Sequence, residues 1–161
     1  MPVVTMSPTN TVGCVPLCVT FTSSSTSPTQ SCLWNFGDGK SSSGCNTNYC
    51  YNGAGSYNIT LTVTDFNGCV GTVSATATAY PVPDADFFGT PQPTSILEPN
   101  IQFVDLSTGA PITNWHWDFG AFGISDTSIL QNPKYLYGDT GTYLVYLHVE
   151  TAYGCKDSTF K

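Results

Sequence analysis

The chain has 161 residues and a net charge of −7, with only four Lys and Arg, 9% charged residues, 40% hydrophobic residues and 13% aromatic residues. So few cations leave phosphates without counter-charge, which argues against nucleic-acid binding and against docking on an anionic membrane surface. No apolar run approaches the roughly 20 residues that span a bilayer, and the apolar content is too high for a disordered chain, so a folded protein without direct membrane insertion is expected.

Period-two alternation runs through the sequence, and no helical stripe of useful length interrupts it. Val15, Leu17, Val19 and Phe21 mark one strand, Cys32, Trp34 and Phe36 another, and Tyr57, Ile59, Leu61 and Val63 a third. Val70 to Ala79 alternates small apolar residues with Thr and Ser and closes the first half. Turn residues separate these runs at Ser27-Pro28, Gly37-Asp38-Gly39, Asn52-Gly53 and Asn67-Gly68. Tyr80-Pro81-Val82-Pro83-Asp84 follows as a short spacer that its prolines hold extended. The alternation then resumes in Ile101 and Phe103, in Trp115, Trp117 and Phe119, and in Tyr143, Val145, Leu147 and Val149.

The second half restates the first. Trp34-Asn35-Phe36-Gly37 returns as Trp117-Asp118-Phe119-Gly120, and Tyr49-Cys50-Tyr51 with Gly55-Ser56-Tyr57 returns as Tyr135-Leu136-Tyr137 with Gly141-Thr142-Tyr143. Gly68-Cys69 returns as Gly154-Cys155. The offset is 83 residues at the tryptophan (117 − 34) and 86 from Tyr49 onward (135 − 49), so the intervening loop is three residues longer in the second copy. The expected organisation is a domain over residues 1–80, a linker over 81–84 and a second domain over 85–161. The second copy ends six residues after Cys155, whereas the first runs from Cys69 on to Tyr80. With no secretory signal before Pro2, this reads as a piece of a longer polypeptide whose second domain lacks the end of its last strand. About seven short strands per copy, each with one buried face, imply an all-β chain of two tandem two-sheet antiparallel β-sandwiches.

In each Trp-x-Phe-Gly run the Trp and Phe share one face of a strand, so Trp34, Phe36, Trp117 and Phe119 are expected in the cores. Gly37 and Gly39 suit a tight turn, and Asp38 can accept bonds from local amides. Tyr57, near the start of a late strand, fits a tyrosine corner in which the ring packs and the hydroxyl bonds backbone, and Tyr57 and Tyr143 are expected with the core residues. A catalytic Asp38 lacks support: Ala121 takes its place in the second copy, and no base partners it. Six of the seven cysteines fall in the first copy. With no Cys-x-x-Cys pair and both histidines in the other copy, disulfides in an oxidising, extracellular compartment are favoured over zinc.

Trp-x-Phe-Gly-Asp-Gly, followed by Tyr-x-Tyr-x-x-x-Gly-x-Tyr, an alternating strand and Gly-Cys, resembles the PKD (polycystic kidney disease) domain across nearly the whole chain. The resemblance implies Ig-like, non-catalytic modules of cell-surface proteins or secreted enzymes. The Gly13-Cys14-Val15-Pro16 opening is most similar to repeats of large surface adhesins, such as the gliding-motility adhesins of Bacteroidetes bacteria. Where Asp-Gly becomes Ala121-Phe122 in the second copy, the shape of the turn departs from the family.

Facing suggests connectivity. Cys14 and Cys69 bracket the first domain and are expected to staple its ends. Cys18 and Cys50 each lie between inward residues, so both point outward and could pair across neighbouring strands. Cys32 and Cys45 flank the Gly-Asp-Gly turn and could close that hairpin. The position matching Cys14 falls near Ile96, and Trp115 stands where the first copy has Cys32, so aromatic packing replaces stapling in the second domain. Cys155 is then a free thiol or pairs outside the chain.

Outward positions of one strand differ between the copies: Asn58, Thr60 and Thr62 in the first, Leu144, Tyr146 and His148 in the second. If the strand of Trp115 and Trp117 is its neighbour, His116 joins the same face. Such an apolar patch marks either a ligand site or packing against a neighbouring repeat of the same polypeptide. Surface proteins or glycans are the expected partners. His116 and His148 offer no third ligand in the sequence, so no metal site is assigned to them. Calcium is the one cofactor considered, through Asp65, Asp84, Asp86 and Asp105 near domain ends. Asn58-Ile59-Thr60 fits an N-glycosylation acceptor, relevant only in a eukaryotic secretory pathway. The expected function is that of a non-catalytic adhesin stalk with a contact surface; the alternative is an accessory module of a secreted polysaccharide- or protein-degrading enzyme.

Overall fold

The computed structural model describes residues 2–92, 100–121 and 126–161, and the chain divides into two compact units, Met1–Tyr80 and Pro81–Lys161. In the first unit the alternation seen in sequence becomes eight strands: β1 (Val4–Pro8), β2 (Val12–Cys14), β3 (Leu17–Ser25), β4 (Thr29–Asn35), β5 (Ser41–Ser43), β6 (Thr47–Tyr51), β7 (Gly55–Asp65) and β8 (Val70–Tyr80). They form two sheets, ordered β1-β3-β6 and β2-β8-β7-β4-β5. Pairing is antiparallel except at one edge, where β2 runs parallel to the end of β8 with Cys14 opposite Tyr80.

The second unit has seven strands among its described residues: β9 (Phe87–Thr90), β10 (Asn100–Asp105), β11 (Ile112–Asp118), β12 (Thr127–Ser128), β13 (Lys134–Leu136), β14 (Tyr146–Thr151) and β15 (Lys156–Phe160). Its sheets are ordered β13-β10-β9 and β12-β11-β14-β15. The end of the proline-rich segment is held by this unit, since Asp84 and Thr108 exchange reciprocal backbone bonds of 2.9 Å. Strand β15 spans five residues where β8 spans eleven. No helix among the described residues is long and apolar enough to cross a membrane.

Each core is built on the same aromatic plan. Phe21 packs its ring 5.1 Å from Trp34 and 5.6 Å from Phe36, and Phe103 lies 5.7 Å from Trp117 and 5.1 Å from Phe119. All six are essentially fully buried. Each such ring contributes roughly 1.5–3 kcal/mol by leaving water. Both buried indoles donate to a carbonyl at 2.8 Å, Trp34 to Gly44 and Trp117 to Leu130, so neither N–H is left unpaired.

The Tyr-x-Tyr pattern continues each core as a ladder of rings. Phe36, Tyr49, Tyr51 and Tyr57 follow one another at centroid separations of 3.9, 5.1 and 4.2 Å. Phe119, Tyr135, Tyr137 and Tyr143 do so at 4.3, 4.7 and 4.2 Å. The middle tyrosine ties this ladder to the Trp-x-Phe strand: Tyr51 donates to the carbonyl of Phe36 at 2.9 Å and Tyr137 to that of Phe119 at 3.0 Å. Tyr57 and Tyr143 are half-buried and donate to the carbonyl four residues upstream, of Gly53 and Asp139, at 2.8 and 2.9 Å.

The glycine after the Phe is required by geometry. Gly37 and Gly120 have φ of 82° and 68°, and a Cβ there would meet the carbonyl oxygen of Asn58 at 2.6 Å and of Leu144 at 2.3 Å. Asn35 and Asp118 accept the amides of these glycines at 2.9 Å, so different residue types make the same turn. The departure at Ala121-Phe122-Gly123 lies beyond Ala121 outside the described residues, as does the Ile96 position matched to Cys14.

Candidate functional site

Cysteines and carboxylates settle into structural roles first. Cys18 and Cys50 stand directly opposite on β3 and β6, both exposed, and form a disulfide. A second disulfide joins Cys32 to Cys45 across the β4–β5 hairpin and its flank, beside the Trp34 indole that bonds Gly44. The expected Cys14–Cys69 bridge does not form. Cys14 sits opposite Tyr80 at one end of β8, whereas Cys69 precedes Val70 at the other. Ten residue steps of about 3.3 Å put the two ends of that strand about 33 Å apart, far beyond disulfide reach. Cys69 is a free, exposed thiol, while Cys14 is disulfide-bonded.

Cys155, expected as free or as pairing outside the chain, is likewise disulfide-bonded, and it is buried. The two Gly-Cys turns share their backbone plan despite these different fates. Gly68 and Gly154 have φ of 77° and 78°, and Asp65 and Thr151 cap the cysteine amides at 2.9 and 3.1 Å. Trp115, at the position of Cys32, is half-buried against the second core and donates to Asp105 Oδ2 at 2.8 Å.

Among the described residues no three His, Cys, Asp or Glu side chains gather to hold a metal ion. Three of the four carboxylates considered for calcium accept bonds from the protein itself. Asp65 takes the amides of Asn67 and Cys69, Asp105 takes Trp115, Ser107 and Gln131, and Asp86 pairs with Lys161 at 2.5 Å. Asp84 holds its place through backbone bonds to Thr108. Burial raises the Asp105 carboxyl, but the bonds from Ser107, Trp115 and Gln131 outweigh it and hold the group below its usual range. Asp38 is held low in the same way, with desolvation opposed by Tyr49 and the Lys40 amide; the short 2.5 Å bond to Asp38 in turn pushes the Tyr49 hydroxyl up to about 12.

The outward face of β11-β14-β15 is different in character. Antiparallel register sets His116 opposite His148 and Asp118 opposite Tyr146, and on the other flank Tyr146 faces Phe160 and His148 faces Ser158. Tyr146 and Phe160 pack with ring centroids 5.5 Å apart, yet they remain 45% and 60% exposed, with Leu144 at 47% beside them. Leu144 lies just before β14, at the end where Val145 and Lys161 exchange backbone bonds of 2.9 and 3.0 Å. A Lys156–Glu150 ion pair at 3.6 Å closes the other end of the face. In the first unit the positions matching Leu144, Tyr146, His148 and Phe160 are Asn58, Thr60, Thr62 and Ser74.

All four residues singled out in sequence, His116, Leu144, Tyr146 and His148, are thus placed at this face. Phe160 joins them without having been expected there. A sequence signal for it exists: pairing the last run antiparallel through the Gly154 turn puts Phe160 against Tyr146.

Two antiparallel sheets closed over an aromatic core, with a tyrosine corner in each copy, define a tandem of Ig-like β-sandwich modules. The chain belongs to the PKD domain family, which matches residues 1–81 and again residues 78–161. It is similar to the PKD1 domain from the Vibrio cholerae metalloprotease PrtV, at 32% identity over 48% of this chain and 95% of that one, with a TM-score of 0.43. It is also similar to the PKD1 domain of Vibrio anguillarum Epp, at 30% identity over 48% of this chain and 92% of that one, again with a TM-score of 0.43. PKD domains are generally non-catalytic modules.

Proposed function

We propose that this chain is a pair of extracellular, non-catalytic spacer modules of a larger surface protein, whose second unit also supplies a contact surface. The observation that carries the reading is the asymmetry between equivalent outer faces. In the first unit that face carries Asn58, Thr60, Thr62 and Ser74 with aliphatic Leu33 and Val70 exposed beside them and no aromatic ring at the matched positions; in the second it presents Leu144, Tyr146 and Phe160 beside two histidines. Selection for solubility alone gives no reason to expose these apolar side chains on one sheet. The Cys18–Cys50 and Cys32–Cys45 disulfides suit an oxidising compartment and a module that must resist proteolysis.

The Tyr146–Phe160 pair also favours a second reading, an accessory module of a secreted degradative enzyme, because exposed rings can stack on sugar faces. Retention of the purified chain on insoluble cellulose and chitin, compared with retention on immobilised host-matrix proteins, separates the two. Tyr146→Ser should leave folding intact and abolish whichever retention is found. Polysaccharide retention supports the accessory role, and protein retention supports the adhesin. If retention is unaffected by Tyr146→Ser and Phe160→Ser together, this face is not the contact surface.

A further inference from the structure

The register of β11 and β14 puts the chain's two histidines directly opposite each other on one face. Val145 and Lys161 exchange backbone bonds, so the odd-numbered residues of β14 bond toward β15 and the even-numbered ones toward β11. His148 therefore bonds through its backbone toward His116, in the arrangement that keeps paired Cα atoms about 5.5 Å apart and Cβ atoms about 4.5–5.5 Å apart. His116 is exposed and His148 half-buried, so solvent ions reach both.

We propose that His116 and His148 form a binding site for a divalent transition-metal ion of the zinc or nickel type, each giving one imidazole nitrogen and water completing the shell. Two nitrogens bound at about 2.0–2.1 Å in a tetrahedral shell lie about 3.3 Å apart, and two cross-strand imidazoles reach that separation by leaning together. Nitrogen ligands select such ions over calcium and magnesium, which take oxygen. The surroundings favour a cation: Asp118 and Glu150 lie on the same face, next along β11 and β14, and the chain carries a net charge of −7. Asp118 accepts the Gly120 amide and Glu150 pairs with Lys156, so both act through their field while the two histidines do the binding. This site depends only on strand register and stands or falls separately from the contact-surface reading.

The test uses the untagged full chain with Cys69 alkylated, because a free thiol would itself take metal. Calorimetric titration with Zn²⁺ should show about one equivalent bound, with no heat from Ca²⁺. Substoichiometric Ni²⁺ should broaden amide NMR signals most strongly at residues 114–118 and 146–150. His116→Asn and His148→Asn should each weaken Zn²⁺ binding by more than about tenfold. His116 is exposed, so its variant keeps the test decisive even if His148→Asn perturbs folding. No binding by the parent chain, equal binding by both variants, or broadening centred elsewhere would each overturn the assignment.

Discussion

Trp34 and Trp117 occupy the same place in the two units, each wholly buried and each with its indole N–H bonded to a loop carbonyl. Trp34→Ala should destabilise the first unit by about 3–5 kcal/mol through the cavity it leaves and the stranded Gly44 carbonyl. Urea unfolding followed by near-ultraviolet circular dichroism would register the loss; an equally stable variant would remove Trp34 from the core. Gly37→Ala should also destabilise that unit, because its new Cβ would press on the Asn58 backbone at a positive φ. A melting temperature unchanged by Gly37→Ala would contradict that geometry.

Tyr49 gives the residue scale a pH signature. Its hydroxyl donates to Asp38 and is held up to about 12, above the unfolded tyrosine value of about 10. A raised folded value means the unfolded chain releases the proton first. The stabilisation is complete below about pH 10 and is lost as pH rises toward about 12. Tyr51 and Tyr137 are also raised, by burial, so both units weaken in alkali. Tyr49→Phe should flatten the alkaline loss of the first unit only in part, which chemical denaturation at stepped alkaline pH would resolve.

At the scale of elements, the Tyr-x-Tyr strand is where the two copies diverge in their means of support. β6 is held to β3 by the exposed Cys18–Cys50 bridge, while β13 pairs with β10 and has Leu136 at the position of Cys50. Replacing Cys18 and Cys50 together by Ala should lower the stability of the first unit by about 2–4 kcal/mol without changing its far-ultraviolet circular dichroism. Thermal unfolding of the double variant checks this. The pairing expected for Cys14 fails at the same scale. Cys14 and Cys69 are the first and last cysteines of the unit, but sequence order does not say at which end of an eleven-residue strand each will lie.

For the molecule as a whole, two PKD modules follow one another, and the first carries the Cys18–Cys50 and Cys32–Cys45 disulfides. Native material should react with a thiol label at Cys69 and resist it at Cys14 and Cys155. Non-reducing peptide mapping by mass spectrometry should recover the 18–50 and 32–45 pairs; labelling at Cys155 would contradict the structure. Fully reduced native protein would argue against the extracellular reading.

Duplication, the all-β class, the family and the identity of the core aromatics are readable in the sequence, because alternation along a strand is a local property. A residue between two inward neighbours must point outward, so alternation alone assigns Cys18, Cys50, His116, Tyr146 and His148 to outer faces. What lies across from an outward residue is not local. Register between β11 and β14 sets His116 against His148. The parallel seating of β2 on the far end of β8 carries Cys14 away from Cys69. Those outcomes depend on hydrogen-bonded pairing between distant segments, which closes only when both sheets have formed over their core.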